Sequence, residues 1–91
     1  MSAPAIILNV DDNEPNRYWR NRILVDAGFT AYDAGTGQET LELAAAHHPD
    51  LVLLDINLPD IDGIEVCRRL KAAPGHASLL VLQISATRPT P

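Results

Sequence analysis

Four short apolar runs, separated by segments with helical spacing, limit this chain more than any other feature of its sequence. They are residues 5–10 (AIILNV), 29–34 (FTAYDA), 51–54 (LVLL) and 79–84 (LLVLQI). All but 29–34, which alternates loosely, are nearly continuous in apolar character, the pattern of strands buried on both faces. The resulting order, βαβαβαβ on short connections, predicts an α/β fold. Its sheet is parallel, with right-handed crossovers and helices on both faces.

Helix starts and stops are legible too. Asn13 can cap a helix whose first turn holds Glu14 and Pro15, where negative charge is favoured and a missing N–H costs nothing. Trp19, Ile23 and Ala27 fall at i, i+4 and i+8 on one stripe, widened by Leu24, with Trp19 expected in or at the edge of the core. Gly28 is the expected stop. Thr36-Gly37-Gln38-Glu39 has the form of a capping box and opens a helix through about His48, which Pro49 ends. Ile64, Cys67 and Leu70 mark a third helix that breaks at Pro74-Gly75. There is no repeat, linker or low-complexity stretch, so residues 1–91 read as one domain.

Composition excludes several classes. Twelve acidic against seven basic residues give a net charge of −5, which repels nucleic-acid backbones. A single cysteine rules out an internal disulfide or thiolate cage and fits a reducing compartment. The first apolar stretch lacks a basic leader and runs into Asp11-Asp12, so it is no signal peptide. Nothing approaches the roughly 20 apolar residues of a membrane span. A soluble cytoplasmic domain without direct nucleic-acid or membrane contact is expected.

In an open parallel sheet, sites form outside the carboxyl ends of the strands. Asp11-Asp12, Asp55 and Ser85 all fall there and converge on one sheet edge. Two carboxylates about 4 Å apart repel by about 4 kcal/mol at an effective dielectric of about 20. A cluster of them calls for shifted protonation or a bound cation, and hard oxygen donors suit Mg²⁺. A metal beside a carboxylate and a hydroxyl suits phosphoryl transfer, with one carboxylate as nucleophile.

These residues carry a resemblance. ILNVDDNEPNR, PDLVLLDINLPDIDGIEV and LQISA resemble, in order and spacing, the CheY-like receiver domain of two-component response regulators. The Asp-Asp-Asn-Glu-Pro-Asn-Arg stretch is most similar to receivers attached to hybrid histidine kinases. The resemblance implies a flavodoxin-like doubly wound fold and a phosphorelay role. Asp55 would accept a phosphoryl group from a phosphohistidine on a histidine kinase or phosphotransfer domain. Asp12 would be a direct Mg²⁺ ligand, Asp11 a nearby acid acting largely through water, and Asn57 a ligand through its backbone carbonyl. Pro59 and Gly63 fit the loop pattern. Ser85 would be the switch hydroxyl and Ala86 the small residue after it. Such a module phosphorylates and dephosphorylates itself with Mg²⁺ but is not a metabolic enzyme.

The chain also departs from that family, which has five strands and five helices. Four strands and three helices are expected here, without the fourth helix, the fifth strand and its lysine, and the fifth helix. Lys71, the one lysine, belongs late in the third helix, away from the site. The fourth strand then becomes an open apolar edge, which predicts a piece of a longer protein, a homodimer or a partner chain that covers it.

Other residues have structural readings. His47 and His48 end a helix, where positive charge is favoured, and point to different faces. His76 belongs to a loop. Cys67 packs inward as a small hydrophobe. Arg17, Arg20 and Arg22 form a solvated face or help to dock the phosphodonor. Two functions from different classes remain: the phospho-accepting receiver, and a receiver-like interaction scaffold that is not phosphorylated. A phosphohydrolase of the haloacid dehalogenase type would need an acid where Asn57 stands.

Overall fold

The computed structural model describes residues 3–55, 57–76 and 79–84. Its elements are β1 (Ile6–Val10), α1 (Glu14–Asp26), β2 (Thr30–Ala34), α2 (Gly37–His47), β3 (Leu51–Asp55), α3 (Gly63–Ala72) and β4 (Leu80–Ile84). The strands form one parallel sheet in the order β2-β1-β3-β4. The expected doubly wound, flavodoxin-like arrangement is present, with four strands and three helices among the described residues.

Register decides what each face buries. In-register residues of parallel strands share a face, so Leu8, Val52 and Val81 point one way, and Asn9, Leu53 and Leu82 the other. The first face carries the core. Leu8, Val10, Val52 and Leu54 cluster there with Ala44 of α2 and Val66 and Leu70 of α3. Each buried aliphatic of this size contributes about 1.5–3 kcal/mol, so this half-sandwich anchors the fold. Cys67 packs against the cluster as expected, whereas Ile64 lies outward at 67% exposure.

Side chains set the helix ends. Asn13 accepts from the N–H of Asn16, and Thr36 from that of Glu39. The return arm of the capping box reaches one residue further than the pattern implies, since Glu39 Oε1 accepts from the N–H of Gly35. Asp62, not singled out in the sequence, caps α3 by accepting from the N–H of Ile64 at 2.7 Å. Gly28 ends the first helical segment with φ of 99°, a conformation that favours glycine.

Helix α1 corrects the sequence reading. Its expected inward stripe faces outward: Trp19 is 67% and Ile23 64% exposed, and no residue of α1 is buried. The helix docks instead through Arg17, Arg20 and Asn21, at i, i+3 and i+4. Asn9 Nδ2 donates to the Arg17 carbonyl, Arg20 Nη1 to Asn9 Oδ1, and Asn21 Nδ2 to Asp33 Oδ1. The cause lies in the sheet, where Asn9 and Asp33 are paired neighbours on the face below α1. Polar groups there draw polar partners down, because an unpaired buried amide costs about 1–3 kcal/mol. Arg17 and Arg20 are therefore docking groups rather than a solvated face.

Among the described strands, β4 is an edge. Val81 packs on the core, while Leu80 and Leu82 are 65% and 56% exposed on the opposite face. Among the described residues nothing covers this apolar edge.

Candidate functional site

Three strand ends converge on one acidic pocket. The chain leaves β1 at Val10, and the N–H of Asp11 continues the ladder by donating to the Ala34 carbonyl. This buries Asp11 and turns Asp12 out to solvent. Asp55 ends β3, half-buried, directly across the same edge. Carboxylate oxygens of Asp11, Asp12 and Asp55 all lie within 4.8 Å of one another. They line a cavity of about 310 Å³ with Asn16, Arg20 and Asn57.

Local hydrogen bonds fix two of the acids. Asp11 Oδ1 accepts from the N–H of Asn13 at 2.9 Å, and Asp55 Oδ1 from that of Asn57 at 2.9 Å. Both are turns in which a carboxylate folds back on the backbone two residues later. Burial pushes the Asp55 carboxyl above the ordinary aspartate range. Asp11 and Asp12 push the same way, and the Asn57 N–H partly opposes them. Converging, poorly neutralised oxygens are a fitting donor set for a hard divalent cation, which would relieve the repulsion.

The structure therefore brings together Asp11, Asp12, Asp55 and Asn57. Ser85 and Ala86 lie outside the described residues. Lys71 sits exposed in the last turn of α3 and does not line the pocket, as expected. Arg20 and Asn16 were not anticipated in the pocket. Arg20 Nη2 donates to Asp11 Oδ2 at 3.4 Å, and Arg17 Nη1 to the Asp11 carbonyl at 2.7 Å. Their three-residue spacing opposite the polar Asn9 was the available signal.

A second contact ties the loop after β3 to the start of α2. Asp60, in the loop after β3, accepts from the backbone N–H groups of Gly37 and Gln38 at 2.7 and 3.0 Å. These bonds hold its carboxyl below the ordinary aspartate range. A Cβ at position 37 would lie 3.0 Å from side-chain atoms of Ile61 and Val66, so a larger residue there would press those neighbours back by a few tenths of an ångström.

Comparisons with known proteins agree with this geometry. A family model described as "Response regulator receiver domain" matches residues 7–90. The polar-differentiation response regulator DivK of Brucella abortus is 40% identical over 80 residues, which cover 88% of this chain and 65% of DivK. Response regulator MprA of Mycolicibacterium vanbaalenii is 40% identical over 79 residues, 87% of this chain and 34% of MprA. The chain thus spans about two thirds of one curated relative and about one third of the other. Among solved structures, the N-terminal domain of a receiver protein from Methanoculleus marisnigri has a TM-score of 0.84 at 36% identity, covering 99% of this chain and 72% of its own. Chemotaxis response regulator CheY4 of Vibrio cholerae gives 0.88 at 27%, covering 97% and 72%. No described helix is long and apolar enough to cross a membrane. With its fold, acidic pocket and sequence in agreement, the chain belongs to the response regulator receiver domain family of two-component systems.

Proposed function

We propose that this chain is a cytoplasmic phospho-accepting module, with Asp55 taking a phosphoryl group from the phosphohistidine of a histidine kinase or phosphotransfer domain. The observation that supports it most is the meeting of three carboxylates within 4.8 Å at the strand ends. Asp11 and Asp12 would hold Mg²⁺ together with Asp55 and the backbone carbonyl of Asn57, Asp11 acting largely through water. When bound, Mg²⁺ neutralises charge on the phosphoryl oxygens, so that a carboxylate can attack an anion.

The chain's own residues supply the rest. The Asn57 N–H holds one Asp55 oxygen, leaving the other as the nucleophile. A bond forms from that oxygen to phosphorus as the phosphorus–nitrogen bond of the donor breaks, and the electron pair leaves with the imidazole. The product is an acyl phosphate, labile to water, which suits a signal that decays. Its added charge would draw in the Ser85 hydroxyl and repack the neighbouring surface.

Intact-mass measurement after incubation with Mg²⁺ and acetyl phosphate tests the reading. The expected result is a gain of one phosphoryl group that is absent in Asp55→Asn. A folded protein that gains none, with or without Mg²⁺, overturns it in favour of an interaction scaffold.

A further inference from the structure

Among the described residues, Arg20 is the one cationic side chain that lines the acidic pocket. Its neighbour Arg17 has Nη1 on the Asp11 carbonyl at 2.7 Å and lies outside the cavity lining. Arg20 is anchored from the sheet. Asn9 is fully buried in β1, and its amide is oriented by donating to the Arg17 carbonyl at 2.9 Å and to Asp33 Oδ1 at 3.2 Å. The amide oxygen accepts from Arg20 Nη1 at 3.1 Å. A buried strand residue therefore fixes one edge of the guanidinium, so that the charge is in place before a ligand arrives.

The other edge is loosely held. Arg20 Nη2 reaches Asp11 Oδ2 only at 3.4 Å, long against the about 2.7–2.9 Å of a tight charge-assisted bond. Asp11 Oδ1 already has the Asn13 N–H at 2.9 Å. A guanidinium carries five N–H donors, and two of those on Arg20 have partners among the described residues. The rest are free to meet a group in the cavity. Charge gives them a use. Three carboxylates face a pocket that fits one divalent ion, which leaves one negative charge unbalanced where a phosphoryl anion must enter. The Arg20 guanidinium balances it. Its planar fork matches phosphoryl oxygens and stabilises the charge spread over them without giving up a proton.

We propose that Arg20 is a catalytic residue of this pocket, donating through Nη2 to an oxygen of the phosphoryl group as it passes to Asp55. The proposal rests on the phospho-accepting reading of Asp55. The bond from the Asp55 oxygen to phosphorus forms as the bond from phosphorus to the donor breaks, and the electron pair leaves with the donor. Arg20 keeps all its protons. Asn9 holds Nη1 throughout, while Nη2 exchanges Asp11 for the phosphoryl oxygen.

Rates of phosphorylation by acetyl phosphate, followed by intact mass at saturating Mg²⁺, test this. The small donor removes any docking role of α1, and saturation removes any change in metal affinity. Arg20→Gln is expected to lower the maximal rate at least about tenfold, and Arg20→Lys to restore part of it. Arg22→Gln, exposed on α1 and outside the pocket, leaves the rate unchanged. The unaltered protein gives a readout that needs no variant to fold: the ¹H and ¹⁵N resonances of the Arg20 guanidinium shift when Asp55 is phosphorylated. A parent that takes no phosphoryl group overturns the acceptor reading and this proposal with it. A parent phosphorylated on Asp55 whose Arg20 resonances stay in place overturns this proposal alone. So does a folded Arg20→Gln that reacts at the parent's maximal rate.

Discussion

The guanidinium of Arg20 spans two buried neighbours, donating to Asp11 Oδ2 at 3.4 Å and to Asn9 Oδ1 at 3.1 Å. One side chain thus docks α1 on the sheet and places a positive charge at the pocket's edge. The Asp11 side chain is 8% exposed and that of Arg20 24%, so solvent screens the pair only partly. A metal entering beside Asp11 meets a carboxylate that already has a cation.

Replacing Arg20 by Gln therefore separates two effects. Without Mg²⁺ the variant is destabilised by about 1–3 kcal/mol, because Asp11 and Asn9 lose their charged donor. Mg²⁺ affinity moves the other way, since the ion no longer displaces a competitor worth about 1 kcal/mol. The expected gain is roughly fivefold. Chemical denaturation and a Mg²⁺ titration by Trp19 fluorescence measure the two.

The core half of the fold was legible because its pattern and its physics coincide. Leu8, Val52 and Leu54 are apolar, buried and in strand register, and the runs that contain them could be little else. The acidic pocket was legible for a related reason, since Asp11, Asp12 and Asp55 each follow such a run. Helix α1 was misread because Trp19 and Ile23 are apolar but have no described element to cover them. Periodicity tells which residues share a face, not which way the face points. Direction was decided by Asn9 and Asp33, two polar residues inside strands.

Asp55 and Asp60 titrate in opposite senses. For Asp55, the folded carboxyl is raised above the ordinary aspartate value of 3.8, mainly by burial. Ionisation therefore opposes folding, and stability present below pH 3.8 is lost as pH rises through the folded pKa. Asp55→Asn is expected to raise the Tm of the metal-free protein at pH 7, with the advantage vanishing on acidification below the ordinary aspartate range. Thermal melts of both proteins between pH 3 and 7, with chelator present, check this. An Asn variant less stable than the parent at pH 7 would contradict the reading.

Asp60 carries the reverse sign. Its carboxyl is lowered by the Gly37 and Gln38 N–H groups, so its stabilising effect is full above pH 3.8 and is lost as pH falls through the folded value. Glu65 behaves alike, pulled down to about 2 by its hydrogen bonds to Arg68 and Arg69. Asp60→Asn is expected to lower the Tm at pH 7 and to converge with the parent under acid conditions. Because Asp60 is the tie between the β3–α3 loop and the start of α2, hydrogen exchange should quicken at the Gly37 and Gln38 amides. Exchange at Leu54, inside β3, should stay unchanged.

Leu80 and Leu82 decide the behaviour of the remaining edge. In register with Leu51 and Leu53, they extend the apolar surface of the sheet on the face opposite Val81, and over half of each is open to solvent. An unpaired edge of this composition templates pairing with another chain, whether a second copy or a partner. Charge is the usual defence, because a lysine on the edge must be desolvated before a strand can add. The pair Leu80→Lys and Leu82→Lys is thus expected to shift a self-associating sample toward monomer without loss of core stability. Their side chains lie outside the Leu8–Leu54 cluster. Sedimentation velocity over a range of concentrations reads the first effect and denaturant unfolding the second. A parent that is monomeric at high concentration would show that the exposed leucines do not drive association by themselves.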